Sequence, residues 1–136
     1  MIINGKIDMS ADHGDAALEQ LKLRYRVAKE VAVQYSEDGF TVIYQDTIIG
    51  PVLAEVADLY GERLHSLIVL NPSIGAIRER ENQRSKKGYT GYTPEQFYEI
   101  FQTTPEIGHW IDSTDLSVDA TVDAAMTYIN RNTKSQ

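Results

Sequence analysis

The stretch FTVIYQD, Phe40 to Asp46, decides how this chain is read. It opens after the turn-forming pair Asp38-Gly39, is rich in β-branched and aromatic residues, and stops at a carboxylate. An apolar run this short is not a helix, so it predicts a buried strand of a parallel sheet. In such sheets the ligand crevice lies beyond the carboxyl ends of the strands, which makes Gln45, Asp46 and Thr47 the first candidate site.

Outward from that strand the pattern turns helical on both sides. Before it, Leu18, Leu21, Tyr25, Ala28, Ala32 and Tyr35 recur at steps of three and four, the apolar stripe of a helix running from Asp15 to about Ser36–Gly39. After it, Pro51 suits the first turn of a second helix, since its missing N–H has no partner there anyway. Val52, Val56, Leu59 and Tyr60 give that helix an inward face, and Gly61 can cap it. The run Leu64 to Leu70 predicts another strand, broken by Asn71-Pro72, with Ser73 as the cap of a helix reaching about Ser85. Thr93-Pro94-Glu95-Gln96 has the form of a capping box with proline at the first helical position, ahead of Phe97, Ile100 and Phe101. His109 to Asp112 predicts a brief strand, and Ser117 opens a last helix with Val118, Val122, Ala125, Met126 and Ile129 on its inward side. Met1 to Gly5 suits a short strand, and residues 6 to 15 and Lys86 to Gly91 read as loops. Helices and strands in this order predict one α/β domain over residues 1–136 with a mostly parallel sheet.

Composition bounds the function. The 136 residues carry a formal charge of −7, with 42% hydrophobic and 24% charged residues. No net positive field draws in a nucleic-acid backbone or an anionic membrane surface. No apolar run approaches the roughly 20 residues of a membrane span. The chain has no cysteine, which excludes disulfides, thiolate metal sites and thiol catalysis. These features predict a soluble, cytoplasmic protein with no nucleic-acid or membrane partner.

Two groups of residues could carry chemistry. Arg80 and Arg84 are four apart and would share one helical face, a spacing able to clamp a phosphate between two guanidinium forks. With Glu79 and Glu81 interleaved, the same run also reads as an ordinary solvated face. Asp46, at a strand's carboxyl end, could hold magnesium through water or orient a hydroxyl; equally, it could bond the backbone of the next turn. Asp112, Asp115, Asp119 and Asp123 more simply cap a turn and line an exposed helix, and His13, His65 and His109 lack ligand spacing, so no metal site is expected. The aromatic residues Tyr89, Tyr92, Phe97, Phe101 and Trp110 are read as core rather than as a base-stacking platform.

The stretches RYRVAKEVAVQYSEDGFTVIYQD, LIVLNPS, RENQRSKKGY and GHWIDSTDLSVDATVDAAM together resemble small P-loop kinases grouped with chloramphenicol phosphotransferase, proteins described as ATP-dependent phosphotransferases or AAA-type ATPases. The resemblance implies a three-layer P-loop-kinase-like α/β fold with a lid at about residues 73–92. It implies ATP and magnesium as cofactors and a small-molecule acceptor. It makes Arg80 and Arg84 lid arginines over the phosphates, puts Asp112, Ser113 and Thr114 beside the adenine, and sets Asp46 as the catalytic carboxylate near magnesium or the acceptor. The G-x-x-x-x-G-K-[ST] loop of such kinases occurs nowhere in the 136 residues. The chain thus reads as an N-terminally truncated member with impaired phosphotransfer, or as a noncatalytic binding or oligomerising scaffold. A hydrolase using Asp46 and magnesium is a third, weaker reading. In the resembled fold the P-loop strand lies mid-sheet, so without it the Phe40 and Leu67 strands must pair directly or leave open edges, which invite association between copies.

Overall fold

The structure is a computed structural model that describes residues 14–85 and 92–133. The readings of Met1–Gly5, of residues 6–13 and of the Lys86–Gly91 loop lie outside the described residues, as does that part of the expected lid. The helices are α1 (Gly14–Glu37), α2 (Val52–Tyr60), α3 (Ile74–Gln83), α4 (Pro94–Phe101) and α5 (Val118–Thr133). A 3-10 turn, Gly61–Arg63, follows α2. The strands are β1 (Ile68–Leu70) and β2 (His109–Ile111), parallel, with Ile68 opposite His109 and Leu70 opposite Ile111. The domain is thus mixed α/β, and its described sheet has two strands.

The Phe40–Asp46 strand does not form. The segment carries no regular secondary structure, and Phe40 is 61% and Ile43 87% exposed. A residue's preference for strands is a preference for a pleated, half-buried surface, and such a surface requires a neighbouring strand. Here β1 pairs with β2 and nothing among the described residues offers FTVIYQD a ladder. Of the two expected outcomes, direct pairing or open edges, the second is the one observed.

The α1–α2 end holds most of the small core. Tyr25, at 1% exposure, is buried with Ala17, Leu53 and Val56. The stripe Leu21, Tyr25, Ala28, Ala32 faces inward as the periodicity requires, whereas Leu18 and Tyr35 at its margins are exposed. Lys22 of α1 pairs with Glu55 of α2 at 2.8 Å. Gly61 ends α2 at φ 51°, as expected for a glycine cap.

The β1–β2 end is set by local capping chemistry. The Ser73 side chain accepts from Ala76 N, and Thr93 and Gln96 close a capping box at α4. Ile111 is the buried residue of the ladder. At Gly108, φ is 75° and an added Cβ would stand 2.6 Å from the Leu67 carbonyl oxygen, so only glycine lets β2 start this close to β1. His109 stacks on Tyr128 of α5 with ring centroids 4.2 Å apart. That contact corrects the expected face of α5. The side carrying Ala124 and Tyr128 turns inward, and Val118, Val122 and Met126 are left exposed.

The two ends meet at Gly50, whose N–H donates to the buried Thr104 hydroxyl at 2.7 Å. Gly50 has φ 73° and lies against Ile100 and Thr103 of the α4 turn.

Candidate functional site

Two separate constellations hold the residues singled out in the sequence. The first surrounds Asp46. The Arg24 guanidinium, projecting from α1, donates to both carboxylate oxygens at 2.7 and 2.8 Å. The Tyr44 hydroxyl donates to Oδ2 at 2.6 Å and Thr47 N–H to Oδ1 at 2.8 Å. Burial, and then the bond to Asp46, push the Tyr44 phenol well above its ordinary pKa of 10.0. The ring of Tyr44 stacks on Tyr60 at 6.3 Å, and the Tyr60 hydroxyl is buried with no partner among the described residues. Four donated hydrogen bonds engage both oxygens of Asp46 and tie its loop to α1. A carboxylate so engaged is poor at gathering magnesium, whose ligands must approach near-octahedral geometry. No group of three acidic or histidine side chains among the described residues could hold a metal ion.

The second constellation lies at the carboxyl ends of β1 and β2. Leaving β2, the chain passes through Asp112, Ser113 and Thr114; leaving β1, it passes through Asn71, Pro72 and Ser73 into α3. Asn71 N–H donates to the Ile111 carbonyl at 2.8 Å, and Ser73 N–H to the Thr114 hydroxyl at 2.8 Å, so the exits are stitched together. Thr114 N–H donates to Asp112 Oδ1 at 2.9 Å, and the Thr114 side chain and backbone together hold the Asp112 carboxyl below its ordinary 3.8. From α3, Arg80 Nη2 donates to the carbonyls of Ser113 and Thr114. The structure therefore brings Arg80, Asp112, Ser113 and Thr114 together, four of the six residues expected to act.

Arg84 and Asp46 stand outside that group. Arg84 is the first residue beyond α3, with ψ 134°, so it does not share a helical face with Arg80. The expected one-face clamp is not formed, because a four-residue step places two side chains together only while the helix continues. Arg84 Nη1 instead reaches back to Glu81 at 3.9 Å. Asp46 draws its partners from α1 and its own loop, whereas Arg80 draws its partners from the turn after β2. The paired guanidiniums and the Gln45–Thr47 segment do not form one hydrogen-bonded site.

Two features at the strand ends escaped sequence reasoning. Ser113 is 2% exposed and its hydroxyl has no partner among the described residues. Beside the strand exits a hollow of about 160 Å³ is lined by Asn71, Tyr98, Phe101, Gln102, Glu106 and Trp110, with Thr104. Its aromatic wall is tight, Phe101 and Trp110 having centroids 5.4 Å apart, and Trp110 Nε1–H donates to the Ile107 carbonyl. The only signal in the sequence was the cluster of aromatic residues, which suits a core as well as a pocket. No family model, curated protein or solved structure matches this chain.

Proposed function

We propose that these residues form the lid and nucleotide side of a phosphotransferase-like α/β domain, binding a nucleoside triphosphate at the strand ends without turning it over efficiently. One observation supports this above the others: Arg80, Asp112, Ser113 and Thr114 meet the start of α3 where parallel strands end, the ordinary place for a ligand in such sheets. The group fits the phosphate end of a nucleotide in part. Arg80 spends Nη2 on two carbonyls and keeps Nε and Nη1, while Arg84 is exposed at the margin. Neither arginine replaces the glycine-rich loop and lysine that cradle phosphates in P-loop enzymes, and positioning of the phosphoryl group is most of that catalysis. The hollow bounded by Asn71, Gln102 and Trp110, rather than Asp46, is the place we assign to a small acceptor.

Titration of the full chain with ATP and magnesium tests this. Weak but saturable binding is expected, with Arg84→Ala weakening it about tenfold, equal to about 1.4 kcal/mol. Binding unmoved by Arg84→Ala, or none at millimolar nucleotide, would overturn the lid reading. A second reading, a noncatalytic binding or oligomerising scaffold, is favoured by the number of large apolar side chains left exposed, among them Ile43, Val118, Leu23 and Leu70.

A further inference from the structure

We propose that a second copy of this chain covers its unpaired strand edge, with Phe40–Tyr44 of each copy adding alongside β1 of the other in a closed two-fold pair. The proposal names the partner for the scaffold reading and rests on it; the nucleotide reading stands or falls separately.

The edge is defined by the ladder. The Leu67 carbonyl accepts from His109 N–H and Asn71 N–H donates to the Ile111 carbonyl, so positions 67 and 71 face β2. Because backbone groups alternate along a strand, Ile68 and Leu70 turn their N–H and C=O groups to the opposite, open edge. That edge is uncharged and apolar.

The same chain carries a strand without an edge. Phe40-Thr41-Val42-Ile43-Tyr44 is uncharged, and every residue is β-branched or aromatic. Backbone groups of Thr41 to Gln45 make no hydrogen bond with another described residue. Asp46 anchors the far end of the segment to Arg24 of α1, and Arg63 pairs with Glu37 just before it, so both flanks are held while the middle is bare.

Charge and length favour a second copy over an unrelated apolar partner. Leu23, Val27 and Val31 make an exposed stripe on α1, and Val118, Val122 and Met126 make one on α5. Each steps i, i+4, i+8, a length of about 12 Å. Arg26 borders the first stripe, and Asp119 and Asp123 border the second. An α1 stripe laid on the partner's α5 stripe brings opposite charges together, whereas α5 on α5 would oppose four carboxylates. A two-fold axis makes both favourable contacts at once.

The test is the mass of the full chain by light scattering from low to high micromolar concentration, with amide hydrogen exchange alongside. The expected mass rises to twice 15.3 kDa and stops there. Protection should appear together in Phe40–Tyr44 and Ile68–Leu70. Ile43→Lys should raise the dissociation constant at least about tenfold and remove protection from both segments. Because Ile43 is so exposed, the monomer's circular dichroism and any ATP binding should not change. A mass of 15.3 kDa throughout, an open series of larger species, protection in only one segment, or a pair indifferent to Ile43→Lys would each overturn the proposal.

Discussion

The α1–α2 half and the β1–β2 half of this molecule are held together by different means. In the first, the contacts are between side chains far apart in sequence: Tyr25 against α2, Lys22 with Glu55, Arg24 with Asp46. In the second, they are bonds to or between backbone groups: a parallel ladder, two capped helices, and Arg80 on the carbonyls of Ser113 and Thr114. The backbone-centred half keeps its strands at three residues each and still forms; the side-chain half leaves its best strand-forming segment unpaired. Strand propensity acts only where an edge is available, whereas a cap acts wherever its own helix starts.

The largest way to test that contrast is Tyr25→Ala, which empties the centre of the α1–α2 packing and should cost about 3–5 kcal/mol in urea denaturation. Ile43→Ala at low protein concentration should stay within about 0.5 kcal/mol, although the sequence alone would make it a core position. Equal losses at the two positions would mean that Phe40–Asp46 is packed after all. Next comes the junction: Thr104→Val leaves the Gly50 N–H without its buried acceptor and should cost about 1–3 kcal/mol, lowering the stability of both halves together. If only one half responds, as read by hydrogen exchange, the halves are less coupled than this bond implies.

Smaller effects sharpen the comparison. Arg24→Ala removes a bidentate pair whose arginine is largely exposed, so about 1 kcal/mol or less is expected, confined to the Asp46 loop. In the other half, the Arg78 guanidinium bonded to Glu95 holds that carboxyl below its ordinary 4.5. Its folded pKa is depressed, so the stabilisation is present above 4.5 and is lost as pH falls through the lower folded value. Arg78→Gln should flatten the acid limb of the stability profile slightly; an unchanged limb would mean that the pair contributes nothing.

Much of the fold was legible because its determinants are local. Ser73, the Thr93–Gln96 box, Pro51 and Gly61 each act within a few residues, and each acts as its residue type demands. The α1 stripe was legible for the same reason, being a repeat within one element. The fate of Phe40–Asp46 was not, because pairing depends on which strand lies alongside, and no residue in the segment encodes that. Nor could spacing reveal that Arg24, twenty-two positions away, would take Asp46. The strand-end site was half legible: Arg80 and Asp112–Thr114 come together, but Arg84 drops out because α3 stops one residue short of it. The inward face of α5 was misjudged because its aliphatic residues suggested burial, while the inward-facing ring that stacks on His109 belongs to Tyr128.

The bare middle of Phe40–Tyr44 also has a chemical consequence. Proteases need several consecutive residues that can be drawn into an extended shape, and this segment can supply them without breaking a hydrogen bond to any described residue. With aromatic side chains at both ends, it is a natural first cleavage point for a chymotrypsin-like enzyme. A nick after Phe40 would release α1 from everything that follows, so the lifetime of the chain in a proteolytic setting depends on how often those few peptide bonds are shielded.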